Sequence, residues 1–262
     1  MTRASALPRW MIPLALAAAG VIAIPILATV ARTPWGQLPE LLSSPAAMQA
    51  MGLSLRTAVL ATVLCVVLGA PLGFALAAWT SRWQRVVRAV VLAPLVLPPV
   101  VGGLALLYAF GRQGLLGGWL SSMGIDIAFS TTAVVLAQTF VAMPFMVLAT
   151  ESAVRSRSPH HESIASTLGA GRSRIFWAVT VPAVAPALAT GMVLSFARAL
   201  GEFGATLTFA GSMEGVTRTL PLEIYLQRES DAAAAVALAM VLLAVAIVVV
   251  ALAYRPLMRS AR

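Results

Sequence analysis

The chain has 262 residues, of which 60% are hydrophobic and 10% charged, with a net charge of +9. This composition belongs to membrane-embedded proteins and excludes both an ordinary soluble enzyme and a disordered chain. The positive charge gathers on no single basic face, so no nucleic-acid partner is expected.

Six apolar segments follow one another, at 10–31, 55–79, 88–110, 130–150, 183–211 and 233–254. Each is long enough to cross a hydrocarbon core of about 30 Å as a helix. Their apolar character is continuous and not alternating, which argues against a β-barrel. The expected fold is therefore all-α, with six transmembrane helices in one domain over 1–262 and a core at 55–254. The first segment could be read as a cleaved signal peptide, but its apolar stretch exceeds the usual length of about 7–15 residues, so an uncleaved anchor is expected. Cys65, the lone cysteine, falls in the second segment and reads as a small packing residue. The third segment contains Pro94, Pro98, Pro99, Gly102 and Gly103. A break of that kind is tolerated at membrane depth where protein or a water-filled cavity satisfies the freed backbone, and substrate pathways form at such breaks. A plain packing kink is the alternative.

Arginine placement sets the orientation. Arg3, Arg9, Arg82, Arg85, Arg88, Arg155, Arg157, Arg172, Arg174, Arg255, Arg259 and Arg262 fall on one side of the six-span arrangement, and Arg32, Arg56, Arg112, Arg218 and Arg228 on the other. Cytoplasmic loops carry the excess of basic residues, so both termini are expected in the cytoplasm.

Several chemistries are missing. The chain has no lysine, so it holds no phosphate-binding loop of the G-x-x-x-x-G-K-S/T kind. The spans carry neither a histidine nor an aspartate pair, which argues against intramembrane proteolysis. His160 and His161 are adjacent, and neighbours on a helix point about 100° apart, a poor arrangement for a metal. No catalytic residue, metal or bound cofactor is expected. Glu202 is the only acid that reads as buried in a span, too few for a proton relay.

The longest inside loop, 151–182, carries a short amphipathic segment. Ser158 is placed to cap a helix that begins at Pro159 and ends at Leu168, with Gly169 as the left-handed terminator. Ile164, Ala165 and Leu168 share one face. A second short helix is expected from Ser173 to Thr180, with Phe176 and Trp177 as interfacial anchors. Such a segment is too short to span a bilayer and lies on its surface, open to a soluble partner. In the fifth span, Arg198 stands about 24 Å along the helix from Pro182, with Glu202 one turn further out. Charges at that depth are paired or face water. A structural ion pair and a place on a substrate path are both open readings, while Gly201, Gly204 and Ala205 read as close-packing residues.

The run STLGAGRSRIFWAVTVP resembles the cytoplasmic-loop motif of ABC-importer permeases, in which E-A-A and three residues precede a glycine. Ala165, Gly169 and Pro182 match that motif, whereas Ser163 stands at its glutamate, with Glu162 one place earlier, and Ile164 stands at its second position. The runs LAPLVLPPVVGGLALLYAFGRQGLLG, TTAVVLAQTFVAMPF, SFARALGEFGATLTFAG and TRTLPLEIY look like the permease subunits of molybdate ABC importers, over about Leu55 to Leu238. Sulfate permeases share the core R-A-x-G-E-F/Y-G.

The resemblance implies a type I permease in a bacterial inner membrane. It would work as a homodimer with two ATPase subunits, which hold the ATP and magnesium, and an external molybdate-binding protein. It places Glu162, Ser163, Ile164, Ala165, Leu168, Gly169 and Ala170 at the ATPase contact. Pro98, Pro99, Gly102, Arg198, Glu202, Phe203 and Gly204 fall on the translocation path or gate. A sulfate or thiosulfate permease and an ion-coupled carrier without ATPase are the rival readings.

Overall fold

A computed structural model describes residues 8, 10–158 and 160–259. Pro159, Arg3, Arg9 and Arg262 lie outside them. In chain order the principal helices are α1 (Met11–Arg32), α2 (Pro45–Ala78), α3 (Trp83–Leu95), α4 (Pro99–Phe110), α5 (Thr131–Ser156), α6 (His160–Thr167), α7 (Arg172–Leu200), α8 (Gly204–Ala210), α9 (Leu220–Ser230) and α10 (Ala232–Arg259). Among the described residues α1, α2, α5, α7 and α10 are each long and apolar enough to cross a bilayer, and α3 with α4 forms a bent pair.

Helix α2 starts ten residues before the expected boundary at 55 because Ser44 and Pro45 begin it. The Ser44 hydroxyl accepts the Ala47 N–H at 3.4 Å, and Pro45 occupies the first turn, where a missing donor costs nothing. Both α2 and α7 contain a single π-turn, at Cys65–Gly69 and at Phe176–Thr180. Each lies just ahead of a proline, Pro71 or Pro182. A proline ring collides with the carbonyl four residues earlier, and the wider turn makes room for it. The helix expected over Ser173–Thr180 is therefore continuous with the fifth span, which runs unbroken over 29 residues.

Two of the six segments are broken, the third at the prolines where a break is expected. The segment at 88–110 does not cross as one rod, because α3 and α4 meet at 114° across Val96–Pro98. The 12 residues of α4 reach about 18 Å, short of the roughly 30 Å core. The segment at 183–211 ends its main helix at Leu200, breaks at Gly201–Phe203 and resumes as the seven-residue α8.

The centre of the bundle is α5, which is buried along most of its length, from Ala133 to Glu151, and packs against α2, α7 and α8. Its neighbours approach through glycines. A Cβ on Gly73 of α2 would stand 2.8 Å from the Val147 carbonyl oxygen, and one on Gly191 of α7 would stand 2.8 Å from the Ala149 Cβ. Lipid is as apolar as leucine, so helix association in a membrane rests on such close packing and not on the hydrophobic effect. By contrast α1 buries none of its residues and rests only lightly on α10. Outside the core, Arg112 and Asp126 pair at 2.9 Å and staple the loop after α4, with Ser121 donating to the same carboxylate at 2.7 Å.

The two broken segments pack on one another. A Cβ on Gly103 would lie 2.7 Å from the Ala205 carbonyl oxygen and against the Thr208 hydroxyl, and one on Gly204 would lie 2.9 Å from the Pro99 Cβ. Gly103→Ala should therefore push α4 off α8 and destabilise the protein by about 1–3 kcal/mol. Thermal unfolding in detergent should show that loss, while Gly52→Ala, whose added methyl meets nothing within 4 Å, should not lower the midpoint, alanine being the better helix former.

Candidate functional site

Leu200 is the last residue of α7, and the chain there leaves the helix through Gly201. Arg198 sits in the last turn and Glu202 beyond it, so the pair expected on one helix instead spans a helix end. Arg198 Nη1 lies 2.6 Å from Glu202 Oε2, an ion pair whose angle falls outside hydrogen-bond geometry. The other carboxylate oxygen accepts the Ala205 N–H at 2.8 Å. Glu202 thus caps α8, satisfying one of the donors that every helix start leaves free and placing its charge at the favourable end of the dipole. It is 1% exposed, whereas the Arg198 side chain is 29% exposed.

Around this pair the structure gathers several of the residues read as a path or gate. Gly204 backs onto Pro99, and Phe203 packs its ring 5.2 Å from that of Tyr225 on α9. Gly201 and Phe203 open onto an apolar groove of about 810 Å³ between α7, α9 and α10, with Tyr225 and Leu242 on its far wall. Gly102 faces Phe140 of α5, where a Cβ would come to 3.1 Å. Pro98 is exposed at the bend and touches none of these charges in the contacts described.

Glu202 is not the only buried acid, which corrects the sequence expectation. Glu151 and Glu223 are equally buried. Glu151 lies between Arg155 Nε at 2.9 Å and Arg88 Nε at 3.3 Å. Glu223 faces Arg218 Nη1 at 3.4 Å and accepts from Gln227 Nε2 at 2.8 Å. The spacings Glu151–Arg155 and Glu223–Gln227 are one helical turn and were legible as pairs, but not as buried ones. Each of the three acids has an arginine beside it, the condition for keeping a carboxylate charged in a low dielectric.

The second cluster lies at the other end of α5. Helix α6 opens with the Ser158 hydroxyl accepting the His160 N–H at 3.3 Å. It closes with Gly169 at φ +80° and the Ala170 N–H reaching back to the Ala165 oxygen at 3.0 Å. That six-residue return is the glycine-terminated end the sequence called for. Ser163, Ile164, Leu168 and Gly169 are exposed, and Ala165 and Ala170 half-buried. Ile164, Ala165 and Leu168 line a groove of about 640 Å³ against Ala178, Val179 and Ala183 of α7. Glu162 turns the other way, pairing with Arg157 at 2.5 Å and accepting the Thr180 hydroxyl. The Arg157 guanidinium, aided by the Thr180 bond, holds the Glu162 carboxyl below the usual carboxylate range against a smaller opposing effect of burial. The carboxylate is charged at neutral pH, and its tie to α7 weakens only as pH falls through that lowered value. The adjacent His160 and His161 are exposed, and no group of three or more metal-ligating side chains occurs among the described residues.

Bent and broken helices that enclose a compensated charge pair, over a surface helix tied to the same span, define a multi-pass transport permease. Residues 69–261 match the family of binding-protein-dependent transport system inner membrane components, and the chain belongs to that family. It is 53% identical over 225 residues to the molybdenum transport system permease of Mycobacterium tuberculosis, covering 86% of this chain and 85% of that one. It is 31% identical over 210 residues to a sulfate transport system permease of Escherichia coli, covering 79% of this chain and 76% of that one. A permease chain in the crystal structure of a bacterial alginate ABC transporter has the same fold, with a TM-score of 0.73 at 17% identity over 94% of this chain and 92% of that one. The all-α type I permease fold and an inner-membrane location follow.

Removing Arg198 alone strands the buried Glu202 charge, at a cost of about 3–5 kcal/mol. Arg198→Ala and Glu202→Ala should each lower the yield of assembled protein in gel filtration, and the double variant should recover part of it. Strictly additive losses would show that the two side chains act independently.

Proposed function

We propose that this chain is the membrane-spanning subunit of an ATP-driven importer that moves molybdate, or the isostructural tungstate, into the cytoplasm. The observation that carries the reading is the 53% identity to a molybdenum transport permease, sustained over 85% of that protein. A sulfate permease is the weaker reading. It shares the Arg198–Gly204 core, but the identity falls to 31%. An ion-coupled carrier is disfavoured because each of the three buried acids is compensated by an arginine.

In this reading two copies of the chain form the membrane unit, and two ATPase subunits bind the α6 helices. An external molybdate-binding protein delivers the anion. ATP and magnesium are held by the ATPase subunits, and this chain binds no cofactor. Ser163, Ile164, Leu168 and Gly169 present the docking face, backed by Ala165 and Ala170. Glu162 serves as an internal strut. Closure of the ATPase draws the two α6 helices together, and α4 and α8 part at Pro98, Pro99, Gly102, Phe203 and Gly204. Arg198, already matched by Glu202, holds a passing dianion weakly, as transport requires.

Proteoliposomes containing the permease, its ATPase and the loaded binding protein should take up molybdate with ATP inside and leave sulfate outside. Uptake of sulfate in preference to molybdate would reverse the assignment of the anion. In the same preparation, Gly169→Val places a branched residue at φ +80° at a cost of about 1–2 kcal/mol. It should abolish stimulation of ATP hydrolysis by the binding protein. Gly171→Val, at an ordinary φ of −69° with open space around it, should not.

On the same reading both termini lie in the cytoplasm, an orientation that the uneven arginine distribution supports. Ser173→Cys should react with an impermeant thiol reagent only in opened cells, and Glu214→Cys in intact spheroplasts. Both positions are exposed while Cys65 is buried. The opposite pattern would invert the topology.

A further inference from the structure

The inner ends of α2, α3 and α5 meet at a polar cluster that the transport reading leaves unused. Helix α2 stops at Ala78, so its last carbonyls have no helical partner. One of them, the Leu76 oxygen, accepts from both Gln84 Nε2 and Arg155 Nη2 at 2.9 Å each. Arg155 also bonds the buried Glu151, whose second oxygen faces Arg88 of α3 at 3.3 Å.

Over Trp83–Leu92, α3 buries no residue, and Val86 and Val90 are exposed. Among the described residues its side-chain ties to the rest of the bundle are Gln84 to Leu76 and Arg88 to Glu151. Its far end turns through 114° into α4, which lies on α8. Just beyond the same end of α5, Arg157 holds Glu162 on α6, and Glu162 holds Thr180 on α7. The last turn of α5 thus joins two sets of polar contacts, one to α6 and α7 and one to α2 and α3, and so connects the surface helix to the bent pair.

We propose that Arg88 and Glu151 form the positioning contact that carries movement of α6 into α3, and through the bend into the α4–α8 break. The inference rests on α6 being the ATPase-docking element. Apolar contacts in lipid let helices slide at little cost, whereas a partly buried ion pair resists separation steeply. Glu151 sits one turn from the end of α5, where displacement of α6 arrives first. Because Arg155 remains to compensate Glu151, Arg88 can be neutralised without stranding a buried charge.

The test uses the full complex in proteoliposomes, with Arg88→Gln, Arg88→Met and Arg88→Lys. Two quantities are read: ATP hydrolysis stimulated by loaded binding protein, and molybdate taken up per ATP. The neutral variants should keep stimulated hydrolysis and lose about tenfold in uptake per ATP, with Arg88→Lys restoring most of it. A spin label at Arg85→Cys should shift on nucleotide binding with Arg88 present and stay fixed in Arg88→Gln. Unchanged uptake per ATP in a neutral variant overturns the inference and leaves the transport reading intact. Failure of both neutral variants to assemble also overturns it, by making Arg88 a folding residue. Absence of uptake in the unmodified complex counts against the transport reading instead.

Discussion

A backbone amide or carbonyl that loses its helical partner inside a bilayer must find another within the protein, and the unusual features of this chain follow from that constraint. At Pro71 and Pro182 the helix answers with a wider turn and continues. At Gly201–Phe203 it cannot continue, and the Glu202 carboxylate takes over a donor of α8. At the end of α2, Gln84 and Arg155 serve the Leu76 carbonyl together. The last two solutions each fix polar side chains at a chosen depth. The charges of this protein are therefore placed by its backbone irregularities, and the two cannot be varied separately.

Those charges divide the molecule into levels. Arg198 and Glu202 sit at the break after α7, and Glu151 with its two arginines at the C-terminal end of α5. Between them the contacts are mostly small and apolar, Gly73 on Val147 and Gly191 on Ala149, with a buried hydrogen bond from the Ser195 hydroxyl to the Ala142 oxygen. Packing of that kind gives close approach with few directional bonds, so rigid segments pivot on it while the polar levels keep their partners. Under the proposed function, the anion's route and the ATP-driven input lie at opposite ends of the same central helix.

The apolar runs made the spans legible, and local chemistry made α6 legible, from the Ser158 cap to the left-handed Gly169. Arg198 and Glu202 were found because their types are rare in a membrane. The geometry around them was not found. Gly201 reads equally well as a packing residue and as a helix end, and only the fit of Gly204 on Pro99 decides between them. The prolines at 98 and 99 announced a break in the third span but not its 114° turn, which depends on α4 lying against α8. The burial of Glu151 and Glu223 is likewise absent from the local sequence. They lie near helix ends, where acids are ordinarily solvated, and Arg88 and Arg218 reach them from other segments. Burial by a distant partner leaves no local mark in a sequence.

The two π-turns bear on how such a chain tolerates change. Each holds one residue more than a regular helix would need over the same length. Removing a single residue within Cys65–Gly69 would leave a regular helix of nearly the same reach and phase, because the wider turn holds its extra residue within one turn. Gly73 and Leu76 could then keep their places against α5, but the Pro71 ring would meet the carbonyl four residues earlier. At these turns the extra residue and the proline after it are a matched set, and a change that loses one is tolerated only when it loses both.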